Sequence, residues 1–264
     1  MTAVSPGVLL DIRNVAVHFS GLVAIANMNF SVPEGRILSL IGPNGAGKTT
    51  AFNVITGFLK PTDGKVLYRG HDLARLTPEK IAALGVVRTF QRTSIFGGCT
   101  VFENVLTGLH LRGRTEIWGA LLGLARMKAE EDALVAQVRE ILDFVGLAPR
   151  AQEMAGTLAY GEQRMLGIAI ALAADPKLLL LDEPAAGLNP SETEEFMQTV
   201  QRIRDRGVTI LLVEHDMRMV MSISDTVVVL NNGVIIAEGP PGKIQNDPEV
   251  IRAYLGQGFK RAED

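Results

Sequence analysis

Cysteine is nearly absent from this chain. Cys99 is the single one in 264 residues, so no intramolecular disulfide can form and no thiolate metal site can be assembled. It is expected to be a small apolar side chain, buried or half-buried. A surplus of basic charge is also missing: 26 Lys and Arg stand against 29 Asp and Glu, a net charge of −3. That balance lacks the electrostatic footprint of a nucleic-acid binder, although it leaves room for a local basic patch. Long hydrophobic runs are missing as well. The longest, Ile117–Ala125 and Leu166–Ala174, fall well short of the ~18 apolar residues that span a bilayer. The opening Met1-Thr2-Ala3-Val4-Ser5-Pro6 has neither the basic start nor the apolar block of a signal peptide. The expectation is a soluble, cytoplasmic chain; if it works at a membrane, another chain does the spanning. Internal repeats, low-complexity tracts and long linkers are absent too. What remains is ordinary globular composition, 47% hydrophobic and 21% charged, with length for one large domain or two small ones.

Against that background one stretch stands out. Gly42-Pro43-Asn44-Gly45-Ala46-Gly47-Lys48-Thr49-Thr50 follows the apolar run Ile37–Ile41, expected to be a buried strand. It leads into Thr50–Ile55, expected to be the first turns of a helix. Strand, glycine-rich loop and helix in that order form the setting of a G-x-x-x-x-G-K-[ST] phosphate-binding loop. Gly42, Gly45 and Gly47 allow the tight turning that aims successive N–H groups at one anion, and the helix N-terminus adds partial positive charge. Lys48 supplies a mobile charge for the outer phosphates, and the Thr49 hydroxyl is suited to Mg²⁺.

The rest of the chain alternates in kind. Val8–Val17 and Ile25–Val32 read as strands around a turn at Ser20-Gly21, and Lys65–Tyr68 lies in a hairpin-like stretch. Thr77-Pro78-Glu79 marks a helix start, and Val86–Phe90 reads as a short buried strand ending at Gln91. From Val101 to Leu147 the composition turns helical, with amphipathic spacing over Ala129–Val145. Leu178–Leu181 and Val208–Val213 are further buried strands. Thr226–Leu230 and Val234–Ala237 flank Asn231-Asn232-Gly233, a strong hairpin signal. Gly256–Asp264 is polar and expected to fray.

Three further stations carry chemistry. Leu178–Leu181 ends in Asp182-Glu183-Pro184. In phosphate-loop enzymes a carboxylate at a strand end holds the magnesium shell, so Asp182 fits the metal and Glu183 fits a base polarising water. The alternative is two acids ending a strand at the surface. Val208–Val213 ends in Glu214-His215-Asp216, where His215 can sense the γ-phosphate or simply be a solvated loop residue. Gln91 can reach magnesium or the attacking water, and carries no meaning by itself. Leu158-Ala159-Tyr160-Gly161-Glu162-Gln163 opens the apolar helix Met165–Ala174. It is either a second anion site, suited to a partner subunit's nucleotide, or an ordinary helix start packed on the core.

In this order the residues resemble the ABC-type ATPase domain, over about Val8 to Gly239. The resemblance implies an α/β fold: a P-loop NTPase with a RecA-like core, an N-terminal antiparallel β-subdomain and an inserted helical subdomain. The ATP-binding domain would span 8–239 with helical residues about 93–157, and 240–264 would be a C-terminal extension. It further implies that Phe19 stacks on adenine and that Gly42, Pro43, Asn44, Gly45, Ala46, Gly47, Lys48, Thr49 and Thr50 bind the phosphates of ATP. Gln91 becomes the Q-loop glutamine, with Thr49 and Asp182 a contributor to Mg²⁺ binding. Leu158, Ala159, Tyr160, Gly161, Glu162 and Gln163 become the signature that closes on ATP held by a second ATPase subunit, alike or related. Glu183 becomes the general base, His215 the switch histidine and Ala186–Asn189 the D-loop.

A narrower resemblance, to the ATP-binding subunit of bacterial branched-chain amino acid importers, rests on five stretches. These are Val87–Gln91, the Leu-Ala-Tyr-Gly-Glu-Gln signature, Asp182–Pro190, Glu214–Met217 and Val250–Gly256. It implies ATP hydrolysis coupled to membrane permease subunits, an indirect link to a solute-binding protein, and a place on the cytoplasmic face of the inner membrane. Urea, amides or lipopolysaccharide are alternative cargoes. A soluble ABC ATPase on DNA or ribosomes is the more distant alternative, lacking here its second domain, its long coiled-coil insertion and a basic surplus. A regulator that binds ATP without hydrolysing it is opposed by Glu183 and His215. That family also has extra residues in the helical part, here Arg112–Lys128, where Ile117–Leu122 serves core packing or a permease contact. Two departures stand out. Ala159 and Tyr160 replace the common Ser and Gly of the signature, and Met165, Gly167 and Ile170 occupy usually charged positions, Gly167 weakening its helix by up to ~1 kcal/mol.

Overall fold

Three largely apolar pentads, Ile37–Ile41, Leu178–Asp182 and Thr209–Val213, are buried at every position. That is the signature of parallel strands covered on both faces. The computed structural model describes residues 7–89, 95–109 and 124–255. It divides the chain into two compact units, one of Met1–Arg88, Lys177–Ala186 and Val200–Asp264, the other of Thr89–Pro176 and Gly187–Thr199.

In the first unit, β1 (Val8–Phe19), β2 (Leu22–Pro33), β4 (Asp63–Tyr68) and β5 (His71–Asp72) form an antiparallel sheet in the order β2-β1-β4-β5. The incomplete alternation of β1 has a local cause. Asn14 takes a left-handed φ of 50°, and the pairing with β2 slips between Ile12 and Val15, so this bulge shifts which side chains face inward. The second sheet holds β3 (Ile37–Ile41), β6 (Val86–Arg88), β7 (Leu178–Asp182), β8 (Thr209–Val213), β9 (Thr226–Asn231) and β10 (Val234–Gly239). Its order is β10-β9-β3-β8-β7-β6, parallel except for the β9–β10 hairpin. The hairpin turn is Asn232-Gly233, both at positive φ, as a two-residue turn of this kind requires.

Strand alternation sends successive side chains to opposite cores. Leu38, Leu40, Val228 and Leu230 join Phe52 and Ile55 of α1 (Lys48–Ile55) and the inner face of the antiparallel sheet. Ile41, Val227 and Val229 join Val220 of α7 (Met217–Ile223), Ile244 of α8 (Pro241–Gln245) and Val250 of α9 (Pro248–Leu255). The short α2 (Pro78–Ala83) buries Ile81 in the first of these cores.

The second unit is helical. It contains α3 (Val101–Leu109), α4 (Leu124–Phe144), α5 (Tyr160–Ala173) and the start of α6 (Pro190–Asp205). Thr100 and Glu103 cap α3 reciprocally: Glu103 Oε2 accepts from the Thr100 N–H at 2.7 Å and Thr100 Oγ1 from the Glu103 N–H at 3.1 Å. Gly108 lets α3 lie directly on α5, because a Cβ there would meet the Ile170 carbonyl and sit 2.8 Å from the Ala173 Cβ. The amphipathic stretch foreseen over Ala129–Val145 belongs to α4, whose residues Val138 and Leu142 are buried. α5 begins at Tyr160, inside the expected signature that opens the apolar stretch. β6 stops at Arg88, two residues short of the expected strand end. Cys99 is half-buried. Among the described residues no helix is long and apolar enough to cross a membrane.

Candidate functional site

The phosphate-loop residues Gly42–Thr50 leave β3 and enter α1 at Lys48, whose N-cap Gly47 is left-handed at φ 109°. No side chain caps this helix, so its first N–H groups keep their capacity for an anion. Lys48 is buried and folds back over the loop, donating from Nζ to the Gly42 carbonyl at 2.6 Å and to the Pro43 carbonyl at 3.0 Å. Burial lowers its pKa below the ordinary lysine value, while the carboxylates of Glu183 and Asp182 oppose that shift. Asn44, Gly45 and Thr49 are exposed and Ala46 is buried.

Sheet register explains why those two acids reach the loop. Leu40 of β3 is paired with Val213 of β8, and Val213 with Asp182 of β7. The three strands therefore end at one level, with β3 and β7 about 10 Å apart. Their exits carry the phosphate loop, Glu214-His215 and Asp182-Glu183, at the carboxyl ends where open parallel sheets bind ligands. Glu183 has a left-handed φ of 46°, uncommon for a residue with a side chain. Its N–H donates to the Val213 carbonyl at 2.8 Å. His215 is exposed, with its Nδ1 3.7 Å from Glu214 Oε2.

Asp182 Oδ2 accepts from Arg88 Nη2 at 2.6 Å, and Arg88 Nη1 donates to Asn53 Oδ1 of α1 at 2.7 Å. The other Asp182 oxygen, Oδ1, is buried without a hydrogen-bond partner among the described residues. Buried polar atoms seldom stay unpaired, so this oxygen suits a metal-bound water. Among the described residues no three His, Cys, Asp or Glu side chains cluster into a metal cage. Magnesium needs none, since it keeps several waters and takes few carboxylates beside substrate phosphates. The buried Asp182 and exposed Thr49 fit that ion.

Phe19 ends β1 and is 46% exposed. The hairpin it belongs to also reaches the phosphate loop, since a Cβ on Gly47 would lie 2.8 Å from the Ala24 carbonyl of β2.

The signature residues Leu158–Gln163 lie in the helical unit. Leu158 is buried and Ala159 and Tyr160 are exposed. Glu162 Oε2 accepts from the Ala159 N–H at 3.0 Å, but an alanine has no oxygen to return the bond, so half of a capping box forms. Gln163 Nε2 donates to the Leu158 carbonyl at 3.0 Å. Tyr160 receives a hydrogen bond from Arg164 at 2.5 Å, and its ring lies against Gly187, where a Cβ would be 2.9 Å away. A Cβ on Gly161 would approach Glu192 Oε1 to 2.7 Å. Gln91 and most of Arg112–Lys128, including Ile117–Leu122, lie outside the described residues.

Three contributors went unassigned on sequence grounds. Arg88 sat in a stretch read as an apolar strand; a buried guanidinium there demands an anionic partner, and that was the available signal. Glu214 is fully buried, with no local pattern to betray it. The sequence marks Gly233 only as a turn residue, yet its N–H donates to the Ala46 carbonyl at 2.9 Å and its own carbonyl accepts from the Ala26 N–H at 2.9 Å, so the hairpin supports the phosphate loop from behind.

Comparison with known proteins shows the family. The family model for the ABC transporter matches residues 25–186, and that for the branched-chain amino acid ATP-binding cassette transporter matches 234–260. The high-affinity branched-chain amino acid transport ATP-binding protein LivG of Escherichia coli is 45% identical, covering 94% of this chain and 98% of LivG. BraF of Pseudomonas aeruginosa, which bears the same description, is 43% identical with the same coverage. The ADP conformation of MJ1267, an ATP-binding cassette of an ABC transporter, superposes with a TM-score of 0.82 at 32% identity, covering 94% of this chain and 99% of that one. The likeness to these relatives extends along almost the whole length of the chain. The chain belongs to the ATP-binding proteins of the ABC transporter family.

Proposed function

We propose that this chain is the ATP-hydrolysing subunit of an ABC importer, driving uptake of branched-chain amino acids through a separate membrane permease. The observation that carries the reading is the single row of strand exits, with Lys48, Asp182, Glu183 and His215 gathered at the end of one sheet. The cargo rests on the 45% identity to LivG and on the C-terminal match at 234–260.

The reaction is ATP + H₂O → ADP + phosphate. The water oxygen bonds to the γ-phosphorus, the bond from that phosphorus to the β,γ-bridging oxygen breaks, and the water proton passes to Glu183. Gly42–Thr50 cradle the phosphates with backbone N–H groups, and Lys48 exchanges its two loop carbonyls for phosphate oxygens. Phe19 stacks on adenine. Thr49, Asp182 and Gln91 would hold Mg²⁺, which supplies charge neutralisation on the β- and γ-phosphates when bound. Glu183 orients and deprotonates the water, and His215 contacts the γ-phosphate. Catalysis is chiefly positioning and electrostatics. Two such subunits sandwich two ATP molecules head to tail, each offering Leu158–Gln163 to the other's phosphate loop. Their closing and opening moves a permease between its two facing states, with a solute-binding protein delivering cargo outside. The subunit then sits on the cytoplasmic face of the inner membrane and needs no nucleic acid.

The test compares ATPase activity of the purified chain and Glu183→Gln, with size-exclusion chromatography in ATP–Mg²⁺. Turnover by the wild type, a loss of about 10²–10⁴-fold in the variant, and an ATP-trapped dimer of that variant are expected. Wild-type turnover by Glu183→Gln removes the general-base assignment. Cargo is tested by reconstitution with the permease and binding protein in vesicles. ATP-dependent leucine uptake supports the reading, and uptake of urea or an amide instead overturns it.

A further inference from the structure

We propose that Glu214 is a positioning residue for hydrolysis, a buried carboxylate that locks the turn bearing Glu183 to the turn bearing His215. The inference rests on the hydrolytic reading above and concerns a residue outside the roles assigned there.

Glu214 is the first residue after β8 and is 0% exposed. Burying a carboxylate is costly unless its oxygens are satisfied. Here the two oxygens face different strand exits. Oε1 accepts the Ala185 N–H at 2.8 Å, from the turn that follows β7. Oε2 accepts the His215 N–H at 2.9 Å and the Asp216 N–H at 3.3 Å, from the turn that follows β8.

Glu183 is consequently bracketed. Its own N–H is held by the Val213 carbonyl at 2.8 Å, and two residues later the Ala185 N–H is held by Glu214. Both anchors come from the end of β8. Between them Glu183 keeps a left-handed φ of 46°, a conformation that persists for a non-glycine residue only when its surroundings over-determine it. Hydrogen bonds to an ionised acceptor are stronger than neutral ones, which gives this site a reason to use a carboxylate. His215 lies on the same device, with Nδ1 3.7 Å from Oε2. One side chain thereby fixes the spacing between the residue placed to activate water and the residue placed to contact the γ-phosphate. A displacement of about 1 Å at such a point can cost about 10²-fold in rate.

The test is Glu214→Gln, which keeps the shape but forces an NH₂ group towards one of the two sets of N–H donors. The expected result is a kcat lowered roughly 10- to 100-fold, with KM and the affinity for a fluorescent ATP analogue within about twofold of wild type. In the Glu183→Gln background the same change should lower the residual single-turnover rate by a clearly smaller factor than in wild type, since the part of its effect that acts through the Glu183 carboxylate is gone and only the part through His215 remains. A wild-type kcat for Glu214→Gln overturns the proposal, and so does an undiminished effect in the double variant. If Glu214→Gln fails to fold, Glu214→Asp carries the test: it keeps the charge but withdraws it by one methylene, and the same selective loss of kcat is expected. Wild-type kcat in Glu214→Asp overturns the proposal equally. Wild-type turnover by Glu183→Gln alone instead removes the general-base reading, a result distinct from either.

Discussion

Arg88 and Asp182 form an ion pair in which both side chains are almost wholly buried, 7% and 3% exposed, with Nη2 2.6 Å from Oδ2. The same guanidinium holds Asn53 of α1 and lies 5.4 Å from the Phe52 ring centre. One residue thus joins the strand end that carries Asp182 to the helix that follows the phosphate loop. Removing one partner of a buried pair leaves an uncompensated charge, at a cost of about 3–5 kcal/mol. Arg88→Leu should therefore destabilise the nucleotide-free protein by about that amount in urea unfolding. Arg88→Lys should fall between, because an ammonium keeps the charge but loses the planar fork that reaches two partners. A loss below about 1 kcal/mol for Arg88→Leu would show that the pair is energetically idle.

Much of this was legible in the sequence, and the limits have physical causes. The phosphate loop, the buried strands and the Asn232-Gly233 turn depend on local chemistry, so residue type and spacing reveal them. Asp182 and Glu183 were readable because a strand that ends in acids beside a phosphate loop has few other uses. The partners of those acids were not readable. Arg88 and Asp182 are 94 positions apart, Ala185 and Glu214 are 29 apart, and only sheet order and register bring them together. The bulge at Asn14 hid the alternation of β1 because one extra residue reverses the inward face. The start of α5 at Tyr160 falls within the stretch Leu158–Gln163 that opens the apolar helix in the sequence.

Lys48 makes the first unit less stable when charged. Its folded-state pKa lies below the ordinary 10.5 because burial disfavours the ammonium. Between that lowered pKa and 10.5 the unfolded chain binds more protons than the folded one, so this group's contribution to stability rises with pH there. Below the window the full cost is present. Lys48→Met should consequently bring nucleotide-free stability at neutral pH to or above that of wild type, while ATP no longer raises the melting temperature. The stability difference between the two proteins should narrow as pH climbs towards 10.5. Urea unfolding at several pH values checks this, and a difference that widens with pH contradicts it.

The start of α5 is incomplete in one specific way. Glu162 already reaches back to the Ala159 N–H, but the helix N–H groups receive nothing from Ala159. Ala159→Ser should complete the capping box and stabilise the helical unit by about 1 kcal/mol. For a chain of this size that corresponds to a rise of roughly 2–4 °C in melting temperature. Ala159→Val, a poor N-cap with no oxygen to offer, should not reproduce the rise. A melting temperature unchanged by serine would mean that the first turn of α5 already has its N–H groups satisfied.

Gly233 links hairpin geometry to nucleotide binding. Its φ of 76° is left-handed, and a Cβ there would sit 2.7 Å from the Ala24 carbonyl and 3.0 Å from the Ile25 Cα, both backbone atoms of β2. The turn cannot yield without shifting the N–H that holds Ala46 in the phosphate loop. Gly233→Ala should therefore weaken ATP binding by roughly tenfold, about 1.4 kcal/mol, beyond its cost to stability. Gly207→Ala separates the two effects. Gly207 has a similar φ of 88°, with nothing within 4 Å of an added Cβ. It should pay only the roughly 1–2 kcal/mol of a left-handed alanine and leave ATP affinity unchanged. Calorimetric titration of both variants decides the point. Equal loss of affinity in the two would mean that general destabilisation, rather than the contact between hairpin and phosphate loop, governs binding.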